Sequence, residues 1–168
     1  MTTIKPIKTP EPLYSLLKQM EIKNQTYQHA PCFTVDEGLE IKAQLDGGHT
    51  KNLFLKDKKG VLWLVIALEN SIIDLKWLPK RINSARLSFG KPELLEKILK
   101  VAPGHVTPFA LIHDHNKQVN VILDKKMMAC EKLNYHPLKN DKTTTINASD
   151  LLKFLKNLEY QPLVIDFQ

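Results

Sequence analysis

His49-Thr50-Lys51-Asn52-Leu53-Phe54-Leu55-Lys56-Asp57-Lys58-Lys59-Gly60, entered through a Gly47-Gly48 corner, decides how this chain is read. Leu53 and Leu55 alternate with Phe54 and Lys56, and Asp57-Lys58-Lys59-Gly60 then turns the chain into the apolar run Val61 to Leu68. Glycine supplies the positive φ of such a turn, and β-branched and aromatic residues fill the second strand, so the stretch predicts a β-hairpin. At its start a cation, Lys51, and an amide, Asn52, stand where a ligand can reach them.

Working outward, Thr9-Pro10-Glu11 reads as an N-cap followed by proline at the first helical position, with Leu13, Leu16, Leu17 and Met20 forming one apolar stripe. Tyr27 to Pro31 reads as a short extended piece. Thr34-Val35-Asp36-Glu37 has capping-box spacing and opens a second helix running to about Leu45. Further helices are expected over Asp74 to Ile82 and Pro92 to Val101. Pro103-Gly104-His105-Val106-Thr107-Pro108 cannot be regular structure, with prolines near both ends and a glycine within. Phe109 to Ile112, a turn at Asp114 to Lys117, and Val119 to Leu123 read as a second hairpin. Short strands are expected at Asn134 to Leu138 and Thr143 to Ile146. A helix capped by Asn147 or Ser149 follows, then a closing strand from Pro162 to Phe167. Strand pairs interleaved with helices imply a single α/β domain over residues 1–168, with a mixed sheet.

The chain has 168 residues, 43% hydrophobic and 25% charged, the composition of an ordinary globular domain. No apolar run approaches the roughly 20 residues of a spanning helix, and no apolar segment follows Lys5 and Lys8 that could serve as a secretory core. The expectation is a cytoplasmic protein without a membrane partner. Cys32 and Cys130 stand far apart, with neither CxxC nor histidine-paired zinc spacing, and read as reduced thiols. His113 and His115 flank Asp114 but have no third ligand at matching spacing, so neither a metal nor a cofactor is expected. A net charge of +6 suits a polyanionic partner. The lysines are dispersed, and neither a helix-turn-helix nor aromatic–basic interleaving is present, which argues against DNA.

His29-Ala30-Pro31-Cys32-Phe33-Thr34-Val35, the Lys51 to Gly60 stretch, Ser88-Phe89-Gly90, Gly104-His105-Val106-Thr107-Pro108, Tyr135-His136-Pro137-Leu138 and Val164-Ile165-Asp166-Phe167 together resemble the motifs of the YbaK/prolyl-tRNA synthetase-associated editing domains, in order. The branch most resembled is that of free-standing prolyl-tRNA editing proteins. Two departures are Ala30, where the family more often has a second proline, and His113-Asp114 in place of Asn-Asp. The resemblance implies a largely antiparallel mixed sheet curled into a barrel-like core with surrounding helices. It further implies a trans-editing deacylase that hydrolyses the ester of mischarged tRNA(Pro), Ala-tRNA(Pro) foremost. Cys-tRNA(Pro) is the alternative substrate, and a non-catalytic module binding tRNA or prolyl-tRNA synthetase is the rival reading.

Site roles follow from the same resemblance. Lys51 would hold the phosphate or ribose end of the terminal adenosine as a point charge, and Asn52 would orient the same end. In the loop of Gly104, His105, Val106 and Pro108, backbone N–H groups would face the developing oxyanion, approached past the bare Gly104 and held rigid by the Pro108 ring. His136 would line the aminoacyl pocket near the amino group or the attacking water. The residues alone leave open whether His136 or the substrate's ribose hydroxyl activates that water.

Overall fold

The computed structural model describes residues 3–31 and 35–167, with the backbone alone for 35–37. In chain order it contains β1 (Lys5–Ile7), α1 (Leu13–Gln19), β2 (Gln25–Gln28), α2 (Val35–Ala43), β3 (Gly48–Asp57), β4 (Leu62–Leu68), α3 (Leu78–Ile82), β5 (Leu87–Phe89) and α4 (Pro92–Leu99). A 3-10 helix over Pro108–His113 follows, then β6 (Val119–Asp124), α5 (Lys125–Met128), β7 (Lys132–Tyr135), β8 (Lys142–Asn147), α6 (Ala148–Asn157) and β9 (Leu163–Ile165). The strands form one sheet in the order β1-β2-β8-β7-β3-β4-β6-β9, with β5 branching from β3. Five pairings are antiparallel, and β3–β7, β4–β6 and β6–β9 are parallel. The expected mixed, mainly antiparallel sheet is present. It curls without closing, because β1 and β9 end the path unpaired with each other.

The first hairpin forms as expected, with Leu53 opposite Val65 and Leu55 opposite Trp63. Its turn is held by Asp57, whose Oδ1 accepts from the N–H groups of Lys59 and Val61, both at 2.9 Å, while Gly60 takes φ +86°. Period-two alternation divides the hairpin between two cores. Phe54, Leu64 and Ile66 face Leu13 and Leu17 of α1, Leu95 and Leu99 of α4, and Phe154 and Leu155 of α6. Leu55, Trp63 and Val65 face Leu78 of α3, Leu87, Ile122 and Ile165. Phe109 binds the larger core together, edge-on to Tyr135 at 6.0 Å and to Phe154 at 5.4 Å.

Several expectations are corrected. The second hairpin does not exist: Phe109, Ala110 and Leu111 are consecutively buried, which a half-buried alternating strand cannot achieve, and they lie in the 3-10 helix. Thr107 caps that helix by accepting from Phe109 N–H. Val119 to Leu123 pairs instead in parallel with β4. Asp114 shapes the intervening loop, accepting from the N–H groups of Gln118 and Val119 and from the Tyr160 hydroxyl. Thr9 does not cap α1; its buried hydroxyl joins Thr26 and Asn24, and the helix begins at Leu13. The helix expected from Asp74 starts at Leu78, because Asp74 to Trp77 forms a turn closed by Asp74 itself. Asn147 stands at the N-cap of α6 without a side-chain bond. The capping box at Thr34 and the motif residues Cys32 and Phe33 lie outside the described residues.

Ser88-Phe89-Gly90 has a clear physical requirement. Gly90 N–H donates to Phe54 O at 2.9 Å, and a Cβ at Gly90 would stand 2.4 Å from Cδ2 of the buried Phe54 ring. Gly90→Ala should cost about 1–3 kcal/mol through overpacking, measured as a lowered midpoint in denaturant unfolding. The double change Gly90→Ala with Phe54→Leu should recover part of that loss. An unchanged midpoint for Gly90→Ala would contradict the close approach.

Candidate active site

Where β3 leaves β7 for β4, the sheet parts. β3 pairs with β7 only at Gly48 and His49, and with β4 from Thr50 onward. A cavity of about 310 Å³ opens at this fork, roofed by Gly38, Ile41 and Leu45 of α2 and its connection. Its polar walls are His29, His49, Asn52, Asn134, His136 and Thr143.

His136 is fixed by its own ring. Nδ1 lies 2.8 Å from Lys142 O, and a carbonyl only accepts, so Nδ1 carries the proton and Nε2 keeps a lone pair. Burial, reinforced by the nearby His29 and His105, holds the imidazole below its ordinary value, against the opposing pull of the Lys142 carbonyl. His29 is buried with the same tautomer: Nδ1–H donates to Ala30 O at 2.9 Å, and Nε2 accepts from the Thr143 hydroxyl at 2.8 Å. Residues 29 and 143 meet because β2 lies antiparallel to β8, with Tyr27 opposite Thr143. His49, at the mouth, is also held below its ordinary value, first by burial and then by the Lys42 ammonium. Lys42 is ion-paired with Glu69, which ties α2 to the end of β4.

Asn52 points into this cavity. Its Nδ2 donates to Val106 O at 3.2 Å, which fixes the amide orientation, and its Oδ1 is buried without a hydrogen-bond partner among the described residues. An orphaned buried acceptor has a cost unless something donates to it. The Gly104 to Pro108 loop is thus tied to the cavity-wall residue Asn52 through Val106 O, although none of Gly104, His105, Val106 and Pro108 lines the cavity, and His105 Nδ1 separately accepts from Asn140 N–H at 3.2 Å. Gly104 has φ +86° and open space where a Cβ would be, so the left-handed turn requires glycine here. Pro108 is buried at the first turn of the 3-10 helix, where its ring stiffens the loop's exit.

Lys51 and Asn52 do not reach the same place. Strand alternation sends them to opposite faces of β3, and Lys51 Nζ donates to the Ser71 carbonyl beyond β4. Lys51 is half-buried and does not line the cavity. His113 Nδ1 donates to Leu99 O, and among the described residues no group of three His, Cys, Asp or Glu could hold a metal ion. His29, His49 and Thr143 are site residues that spacing along the sequence did not single out. All three stand in or just after motif segments, His29 in His-Ala-Pro, His49 at the head of the Lys51 stretch and Thr143 after His136-Pro137, but the motifs assigned them no role.

An aminoacyl-tRNA editing domain model matches residues 29–154. A prolyl-tRNA synthetase associated domain-containing protein 1 from Xenopus laevis is 36% identical over 161 residues, covering 92% of this chain and 95% of that protein. The prolyl-tRNA editing protein ProX of Acetoanaerobium sticklandii is 35% identical over 141 residues, covering 83% and 86%. Among solved structures, a candidate trans-editing enzyme for prolyl-tRNA synthetase superposes with a TM-score of 0.67 at 17% identity, covering 93% of this chain and 94% of the other, a likeness of fold. The matched model spans both strands of the fork, the histidine cavity and the docked loop, and the chain belongs to the aminoacyl-tRNA editing domain family.

Proposed function

We propose that this protein is a trans-editing deacylase that hydrolyses the ester of mischarged tRNA(Pro), with Ala-tRNA(Pro) as its principal substrate. The observation that carries the reading is the pairing, in one cavity, of an unpartnered buried acceptor, Asn52 Oδ1, with an imidazole whose Nε2 is unprotonated. An α-amino ester presents the complementary groups: an ammonium that donates and a carbonyl carbon that water attacks.

In this mechanism Asn52 Oδ1 accepts from the substrate ammonium and fixes the acyl group. His136 Nε2 takes a proton from water as its oxygen bonds to the ester carbon. Backbone N–H groups of the Gly104 to Pro108 loop stabilise the oxyanion. The carbon–oxygen bond to the ribose then breaks, the proton passes from His136 to the departing ribose oxygen, and the free amino acid leaves. Lys51, outside the cavity wall, holds the phosphate end of the terminal nucleotide. The names of the relatives support prolyl-tRNA as the substrate class and prolyl-tRNA synthetase as an associated protein.

A synthetic site built for proline gains only about 1–3 kcal/mol of discrimination against the smaller alanine, so a second hydrolytic pocket that excludes proline by size supplies the rest. Ala-tRNA(Pro) should therefore be hydrolysed much faster than Pro-tRNA(Pro), measured as release of labelled amino acid. Equal rates would remove the size argument, and hydrolysis of Cys-tRNA(Pro) alone would make cysteine the substrate.

Because the His136 pKa is lowered, the imidazole is neutral at and above pH 7 and gains a proton only as pH falls through a value below about 6.5. The enzymatic rate, corrected for spontaneous ester loss, should be flat above pH 7 and fall on the acid side with a midpoint below 6.5. His136→Ala should lower kcat by about 10²–10⁴-fold and abolish that acid limb. An unchanged pH profile in the variant would hand water activation to the ribose hydroxyl.

The two neighbouring β3 residues should separate kinetically. Asn52→Ala removes the acceptor for the ammonium and should lower kcat and kcat/KM together. Lys51→Ala removes a phosphate contact and should raise KM and flatten the salt dependence of binding. Parent kinetics in both variants would place the active site elsewhere.

A further inference from the structure

On the face of β3 and β4 opposite the histidine cavity lies a second, wider cavity of about 570 Å³, lined in part by Asn70, Ser71, Asp74, Trp77, Lys126 and Phe167. It takes no part in the mechanism above, yet its chemistry is specific. Trp77 packs edge-on against Phe167, with centroids 6.3 Å apart and planes at 67°, and remains 39% exposed. Lys126 lines the cavity, and Lys51, which does not, donates to the carbonyl of the lining residue Ser71, one bond of the three its ammonium can make. The buried Asp124 carboxylate below is already satisfied by Leu68 N–H, the Ser71 hydroxyl and Lys126 N–H. Asp74 Oδ1 accepts from Lys76 N–H at 2.8 Å at the rim.

An exposed indole in one cavity with the Lys126 ammonium and a carboxylate, and with the Lys51 ammonium on a lining carbonyl, matches one class of occupant. The indole offers a stacking surface for a base, and the cations suit a phosphodiester. The Asp74 carboxylate suits the exocyclic amino group of cytosine or adenine. The two cavities are also contiguous along the chain: Glu69 lines the histidine cavity, while its neighbours Leu68 and Asn70 line the second, with consecutive Cα atoms about 3.8 Å apart.

We infer that this second cavity holds an unpaired nucleotide of the RNA strand whose aminoacyl end occupies the histidine cavity, its base stacked on Trp77 and its phosphate against Lys51 and Lys126. This rests on the deacylase reading for the identity of the strand, but it assigns a separate subsite. The subsite would let the protein grip the flexible end of a tRNA independently of the acyl group, and would favour a polynucleotide ester over a minimal one.

The test compares the parent, Trp77→Leu, which keeps an apolar group against Phe167, and Trp77→Phe, which restores an aromatic face. Two substrates are used: Ala-tRNA(Pro) and the alanyl ester of adenosine. The ratio of their kcat/KM values should fall about 5–150-fold in Trp77→Leu and recover in Trp77→Phe, the range expected for one stacked base. A ratio that is the same in all three proteins overturns the subsite. Calorimetric titration with the uncharged trinucleotide CpCpA provides the independent arm. CpCpA should bind the parent and Trp77→Phe more tightly than adenosine does, and Trp77→Leu should lose that margin. Trinucleotide binding by the parent with no hydrolysis of any ester would count against the deacylase reading and leave the subsite standing. Equal CpCpA affinity in the parent and Trp77→Leu would sink the subsite whatever the deacylation result.

Discussion

Everything at the site depends on how closely β3 can lie against its neighbours at Gly47 and Gly48. Gly47 has φ +91°, and a Cβ there would stand 2.7 Å from the Lys132 carbonyl oxygen. A Cβ on Gly48 would be 3.0 Å from Leu68 Cδ2 and 3.2 Å from both Cys130 Sγ and Leu133 Cδ2. Two adjacent positions without side chains let the strand enter between β7 and the end of β4. From there β3 keeps β7 for two residues and then turns to β4 and β5, so one ten-residue strand joins two half-sheets that diverge. The cavity is the space left by that divergence, and Asn52 is within the first residues past the fork.

The polar groups around the fork differ in how they are held. Asn134 sits in β7 with its side-chain nitrogen on Asp46 O at 2.7 Å and its oxygen accepting from Thr145, so the floor is tied on both sides. Tyr135 turns its hydroxyl away to Met127 Sδ, and burial drives its phenol well above the ordinary value, which keeps it a neutral part of the wall. His29 and His136 each have one ring nitrogen committed to a backbone carbonyl. Such commitments place the proton on Nδ1 of each ring without any carboxylate partner, and burial is what holds the His136 imidazole below its ordinary value.

Some of this was legible in the sequence and some was not, for physical reasons. The first hairpin was readable because alternation, turn glycine and β-branched residues all agree over Leu53 to Leu68. Asn52, Val106 and His136 stood out as motif residues, and the fold brings the three together. The second hairpin was misread because Phe109 to Ile112 is a short apolar run, and periodicity does not distinguish a buried helical turn from a buried strand at that length. The opposite placement of Lys51 and Asn52 was implicit in the strand assignment, since neighbours on a strand cannot share a face. The His29–Thr143 bond spans 114 positions and exists only through the register of β2 on β8, which no local pattern encodes.

The open sheet carries a further consequence. Curling without closing leaves free edges at β1 and β9, besides that of the branch β5, and a free edge is a template on which other chains can polymerise. Here each edge strand has only three residues; β1 contains Pro6, which lacks the N–H a partner strand would need, and β9 is bounded by Pro162 and Asp166. The ladder groups left for a stranger are too few and too interrupted to extend. A fold that must part its sheet in the middle to make a cavity can therefore do so at both ends without becoming a seed for aggregation.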